Sequence, residues 1–248
     1  MLWKRARRSD NVVSGGSGGG RGGKGLTLGA VVLVVAFGLI TGQDPMQILG
    51  QLAGQLETPT TSSQRTPVAS DEQSDFVRAI LGDTEDTWRQ LFQQAGRQYQ
   101  DPTLVLFNAS VRSACGMASA ASGPFYCPAD RQVYLDVSFF RELAQRYAAA
   151  GDFAQAYVIA HEVGHHVQTL LGVSAKVQAA RQRGERMEGD NGLLVRQELQ
   201  ADCLAGVWAH HAQQRLDWLE AGDLQEALQA ASAIGDDRLQ QQSRGQVM

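Results

Sequence analysis

The segment AYVIAHEVGHHVQTLLG, residues 156–172, restricts the fold of this chain more than any other. It has the apolar periodicity of a packed helix, yet it carries His161, Glu162 and His165. A spacing of four on a helix turns side chains only about 40° apart, so both imidazoles can grip one ion. Glu162 lies about 100° round from His161, on the flank where an attacking water would sit. A catalytic zinc usually takes three protein ligands and keeps one position open, and no third histidine follows at a suitable short spacing. The stretch RQELQADCLAGVWAHH supplies instead Glu198 and Asp202, four apart on one face of a second helix. One carboxylate can bind the ion, while the other accepts the N–H of a ligating imidazole and fixes its tautomer. Leu199, Ala201, Leu204, Ala205 and Val207 predict that this helix is largely buried, where an unpaired carboxylate is costly. A metal relieves that cost.

The remainder divides by composition. Lys4, Arg5, Arg7, Arg8, Arg21 and Lys24 precede an uncharged run, residues 25–43, that includes LGAVVLVVAFGLI. Nineteen helical residues reach about 28 Å, close to the ~30 Å of a bilayer's hydrocarbon core. Cations on the N-terminal side of such a run read as a topology signal, and Ala36-Phe37-Gly38 is a weak cleavage site. The expected organisation is therefore a basic, glycine-rich cytoplasmic segment (1–24), an uncleaved transmembrane anchor (25–43), a polar linker (44–74) and an extracytoplasmic domain (75–248). Roughly 170–180 residues suffice for one well-buried core. A net charge of −4 gives no sign of a nucleic-acid partner. Three cysteines are too few for a disulfide scaffold; Cys115 and Cys127 flank a Gly/Ser/Pro-rich loop and form a candidate bridge outside the cytoplasm, leaving Cys203 over.

Within the domain, residues 76–96 suit one or two amphipathic helices, and TLVLFN and RQVYLDV read as strands. Pro124–Cys127 and Gln132–Asp136 fit a hairpin across PADR. Helices are predicted at 138–150, 152–171, 174–187, 191–214 and 223–234, the last opened by a capping box of Asp223 and Glu226. The fold class is α+β, mostly helical. His166 is assigned a structural or solvent-facing role, as are His210 and His211. Tyr126, Tyr134 and Tyr157 are candidate oxyanion donors that the sequence does not rank.

HEVGHHVQ followed by ELQADCLAGVWA resembles gluzincin metallopeptidases, in which HExxH is completed by an ExxxD helix. More closely, the chain resembles the bacterial family of putative neutral zinc metallopeptidases. The resemblance runs from the basic N-terminus through TEDTW, GPFYCPAD, VYLDVSFF, GDFAQAYVIAHEVGHHVQ and ELQADC to AIGDDRLQQQS. It implies a zincin-like domain behind one anchor at a bacterial inner membrane and a peptide or protein substrate. One Zn²⁺ would be held by His161, His165 and Glu198, with Glu162 as base and Asp202 behind a ligand. Val133–Asp136 is the expected strand for aligning a peptide. Family members continue past AIGDDRLQ with a Ser-Phe-Thr-His-Gly stretch and a further cysteine, whereas this sequence stops at Met248. The expectation is zinc binding with slow cleavage; the alternative is an inactive zinc-binding envelope protein acting as a binding module.

Overall fold

The computed structural model describes residues 1–15, 71–146, 151–189 and 191–234. The expected anchor, most of the expected linker and the residues after 234 lie outside the described residues. Among the described residues, no helix is long and apolar enough to cross a membrane.

Among the described residues, six α-helices and six strands carry the site. A single helix, α1 (Asp71–Gln94), occupies the region read as one or two. It buries Phe76, Ile80, Trp88 and Phe92 at helical spacing. The remaining helices are α2 (Phe139–Arg146), α3 (Asp152–Leu170), α4 (Val173–Gln182), α5 (Leu193–Leu216) and α6 (Asp223–Ile234). The main sheet runs β1 (Val12–Gly15), β2 (Thr103–Phe107), β6 (Gln132–Asp136), β5 (Phe125–Cys127). The first three strands are parallel, and β5 pairs antiparallel with β6 across the expected hairpin. A separate hairpin, β3 (Ser110–Ser113) with β4 (Gly116–Ser119), was not foreseen, because its short polar strands lack apolar alternation.

Helix α3 is central. It buries residues on every side, from Phe153 and Ala154 through Ile159 to Val167, and α5, α6 and α1 pack around it. The buried stripe of α5 is Ala201, Ala205, Trp208 and Ala212, spaced four, three and four. Leu199, expected inside, is 62% exposed, because it lies off that stripe. Trp208 donates its indole N–H to Asp83 on α1 (2.8 Å), and Arg215 pairs with the same carboxylate, so α5 is stapled to α1. Close approach of α5 to α3 is permitted by Gly164: a Cβ there would stand 3.0 Å from the Ala201 carbonyl oxygen.

Two expectations are corrected. Asp223 and Glu226 do not cap each other: Asp223 accepts the Glu220 N–H (2.8 Å), and Glu226 reaches across to the Phe153 N–H at the start of α3 (3.2 Å). Composition set residues 1–24 apart from the domain, but residues 1–15 belong to the same compact unit as residues 71–234. Strand β1 is hydrogen-bonded to β2, with Val12 opposite Leu104. Arg7 and Arg8, read as part of a topology signal, have carboxylate partners about seventy to eighty positions away, out of reach of any local reading.

Candidate metal centre

His161 and His165 project from the middle of α3, and Glu198 and Asp202 face them from the first half of α5. Burial of α3 on all sides fixes its rotation, and the Gly164–Ala201 crossing sets its distance from α5. Glu198 Oε2 stands 3.2 Å from His161 Nε2 and 3.2 Å from His165 Nε2. The three donor atoms all lie within 4.8 Å of one another. Tetrahedral zinc with bonds of about 2.0–2.1 Å separates adjacent ligand atoms by about 3.3 Å. The donor set therefore has the spacing and chemistry that zinc requires.

Each imidazole has its other nitrogen engaged. His161 Nδ1 lies 2.8 Å from Asp202 Oδ1, and His165 Nδ1 lies 3.0 Å from Gln168 Oε1. With Nδ1–H donated in both rings, both Nε2 lone pairs converge on the space beside Glu198. Tyr157 donates its hydroxyl to Asp202 in turn. Gln168 is fully buried, and its amide donates to the Gln197 carbonyl (2.7 Å) and to Gln200 (3.0 Å), tying α3 to α5 beside the ligands. Sequence reasoning assigned no role to Gln168 or to the Tyr157–Asp202 bond. The signal for Gln168 was its position three residues after His165, on the same helix face.

Electrostatics couple the same four side chains to one another. Burial lowers the His161 imidazole, but its bonds to Asp202 and Glu198 and the nearby Glu162 charge outweigh burial and hold it up to about 10. His165 is raised in the same way, against burial, by Glu198 and Glu162. Burial pushes Glu198 up, yet the two histidines pull it down to about 2. Asp202 is likewise lowered, despite burial, by His161 and Tyr157. The raised imidazoles and the lowered carboxylates are two sides of one ion pairing between α3 and α5.

This group opens into a cleft of about 280 Å³. Glu162 lines it with the three candidate ligands, Asp202, Val158, Ser174, Gln197 and Ala231. The far wall is Pro124, Phe125 and Tyr126, at the start of edge strand β5. Val133–Asp136, expected to align a peptide, lies inside the sheet: β2 pairs along all of it, and β5 takes the other edge at Val133 and Tyr134. Among the described residues, the free edge beside the cleft belongs to β5. Cys115 and Cys127 are bridged, which ties the end of β5 to the β3–β4 hairpin, and Cys203 is a free, exposed thiol.

The other candidates stand apart. His166 is buried, with Nε2 2.6 Å from the Gln100 carbonyl and Nδ1 3.2 Å from the Tyr126 hydroxyl. This is a structural position that holds the cleft wall against α3. His210 and His211 pack on each other and do not line the cleft. Tyr134 gives its hydroxyl to Asp130 (2.8 Å), outside the cleft. Of the three tyrosines, Tyr126 alone lines it.

Comparison with known proteins agrees with this chemistry. The family described as "Putative neutral zinc metallopeptidase" matches residues 1–248. The uncharacterized protein YpfJ of Escherichia coli strain K12 is 48% identical over 255 residues, which covers all of this chain and 88% of the relative. The uncharacterized protein Mb2605 of Mycobacterium bovis is 46% identical over 157 residues, 59% of this chain and 52% of the relative. No solved structure matches the chain.

Proposed function

The chain belongs to the family described as putative neutral zinc metallopeptidase, and we propose that it is a zinc-dependent endopeptidase using one ion held by His161, His165 and Glu198. The observation that carries this reading is the convergence of both Nε2 atoms on Glu198, each at 3.2 Å, with both Nδ1 atoms already bonded. When bound, zinc supplies a Lewis acid and lowers the pKa of water at the site. Glu162 accepts the proton of the water that attacks the scissile carbonyl and passes it to the leaving amine. Asp202 and Gln168 hold the two imidazoles in register. An extended substrate lies along the free edge of β5, where main-chain pairing aligns it and Pro124, Phe125 and Val158 offer an apolar wall. The Cys115–Cys127 bridge favours an oxidising compartment, so the domain works outside the cytoplasm, attached to the membrane through residues 25–43.

Glu162→Gln tests the central claim. The variant should keep about one zinc per chain, because all three ligands remain, and lose peptide hydrolysis, because an amide cannot take the water proton. Zinc content and casein turnover, measured on the same sample, decide it. Turnover at the wild-type rate would overturn the role of Glu162, and an absence of zinc in the wild-type chain would overturn the whole reading.

A further inference from the structure

The first fifteen residues run as a strap across α1 and end as a strand of the main sheet. Their seat is built for them. A Cβ on Gly82, in mid-helix, would come within 2.4 Å of the Arg7 carbonyl oxygen, so the notch exists because the residue is glycine. Glu85, fully buried, accepts Arg7 (2.6 Å), Ser9 (2.6 Å) and Asn11 (2.8 Å). Arg8 grips Asp75 with two parallel bonds, 2.8 and 2.7 Å. From the other side, Arg78 donates to the carbonyls of Ser9 (2.9 Å) and Val12 (3.1 Å). Val12 is buried, and β1 pairs with β2 residue by residue from Val12–Leu104 to Gly15–Phe107.

We infer that residues 1–15 share the compartment of the zinc domain, so the apolar run at 25–43 does not act as a single-pass anchor. Adjacent strands lie about 4.8 Å apart, and a hydrocarbon core is about 30 Å thick. A strand hydrogen-bonded to β2 cannot stand on the opposite face of a bilayer from it. Any passage of the intervening chain into a membrane must therefore return to the side it left. The cations that suggested a cytoplasmic N-terminus have another use. Arg7 and Arg8 are paired within the domain, Arg5 donates to the Leu216 carbonyl (3.0 Å), and Lys4 lies over the Trp3 ring. Four of the six cations before the apolar run thus have partners within the domain, which weakens the charge argument for a crossing. Attachment through residues 25–43 remains compatible with this; net translocation across them does not.

The inference rests on the strap alone and is independent of zinc or turnover. Its test is labelling of the full-length chain in sealed spheroplasts with a membrane-impermeant maleimide. Cys203 is exposed and reports the side of the zinc domain. Asp10→Cys in a Cys203→Ser background reports the strap, and Lys4→Cys repeats the measurement at a second exposed position. Both reporters should behave alike, either labelled before lysis or protected until lysis. Labelling of one before lysis and of the other only after it, in both strap variants, would overturn the inference.

Discussion

An imidazole lends a metal one nitrogen, so whatever holds the other nitrogen decides whether the ring is presented or lost. Asp202 does this for His161 and Gln168 for His165. Glu198→Ala leaves two ligands and should lower zinc affinity the most. Asp202→Ala and Gln168→Ala keep all three ligands and should each cost roughly 10–100-fold in affinity. Tyr157→Phe removes only the hydroxyl behind Asp202 and should cost less than either. Competition against a chromophoric chelator gives the order, and an Asp202 loss larger than the Glu198 loss would exchange their assigned roles. These positions differ in how they read from sequence. His161, His165, Glu198 and Asp202 announce themselves because two pairs of metal-binding side chains recur at i, i+4 within apolar helices. Gln168 does not, because glutamine on a helix is usually a solvated residue. Only the tight packing of α3 against α5 makes it a buried donor.

The crossing of α3 and α5 is the element on which the site depends, and Gly164 is its hinge point. The Cβ of Gly164→Ala would meet backbone of Ala201 at 3.0 to 3.4 Å, and backbone cannot swing aside as a side chain can. The helices must separate or strain, which costs about 1–3 kcal/mol in an overpacked core. Glu198 and Asp202 would move away from the histidines with α5. Gly206→Ala, on α5 itself, meets nothing within 4 Å and should be neutral or stabilising by up to about 1 kcal/mol. Melting temperature and zinc titration of the two variants should therefore move apart. A Gly164→Ala protein with unchanged zinc affinity would show that the crossing has slack. The helices themselves were legible from apolar periodicity, from α2 through α6, with ends shifted by a few residues. β1 was not, because DNVVSGG carries little strand signal of its own. It becomes a strand because β2 offers it an edge and Glu85 offers its neighbours a buried partner. Glu226 misled for a similar reason: a local cap is the default reading of its spacing, whereas folding gives it the start of α3.

For the molecule as a whole, the site couples folding stability, metal and protons. Without metal, His161 is held up to about 10 from an ordinary 6.5. Its contribution to stability is complete below the unfolded value and is lost as pH rises through the folded one. Glu198, down to about 2 from 4.5, contributes above its unfolded value, and that contribution is lost as pH falls through about 2. The stripped protein should thus hold its stability through mildly acidic and neutral pH and weaken towards alkaline pH. Zinc has the opposite preference. It needs both imidazoles neutral, so at neutral pH its uptake must expel the proton that His161 carries, and the upward shift of His165 adds to the release. Each proton expelled makes binding about tenfold tighter per pH unit, or about 1.4 kcal/mol. For a domain of this size that is roughly 3–5 °C in melting temperature per unit per proton, with zinc in excess. The gap between zinc-loaded and chelator-stripped melting temperatures should therefore widen steadily between about pH 6 and 9. Calorimetric zinc titrations in buffers of different ionisation enthalpy should count between one and two protons released at about pH 7. A gap that stayed constant with pH, with no proton released, would mean that zinc binds without displacing protons from His161 and His165. Both imidazoles would then already be neutral in the metal-free protein.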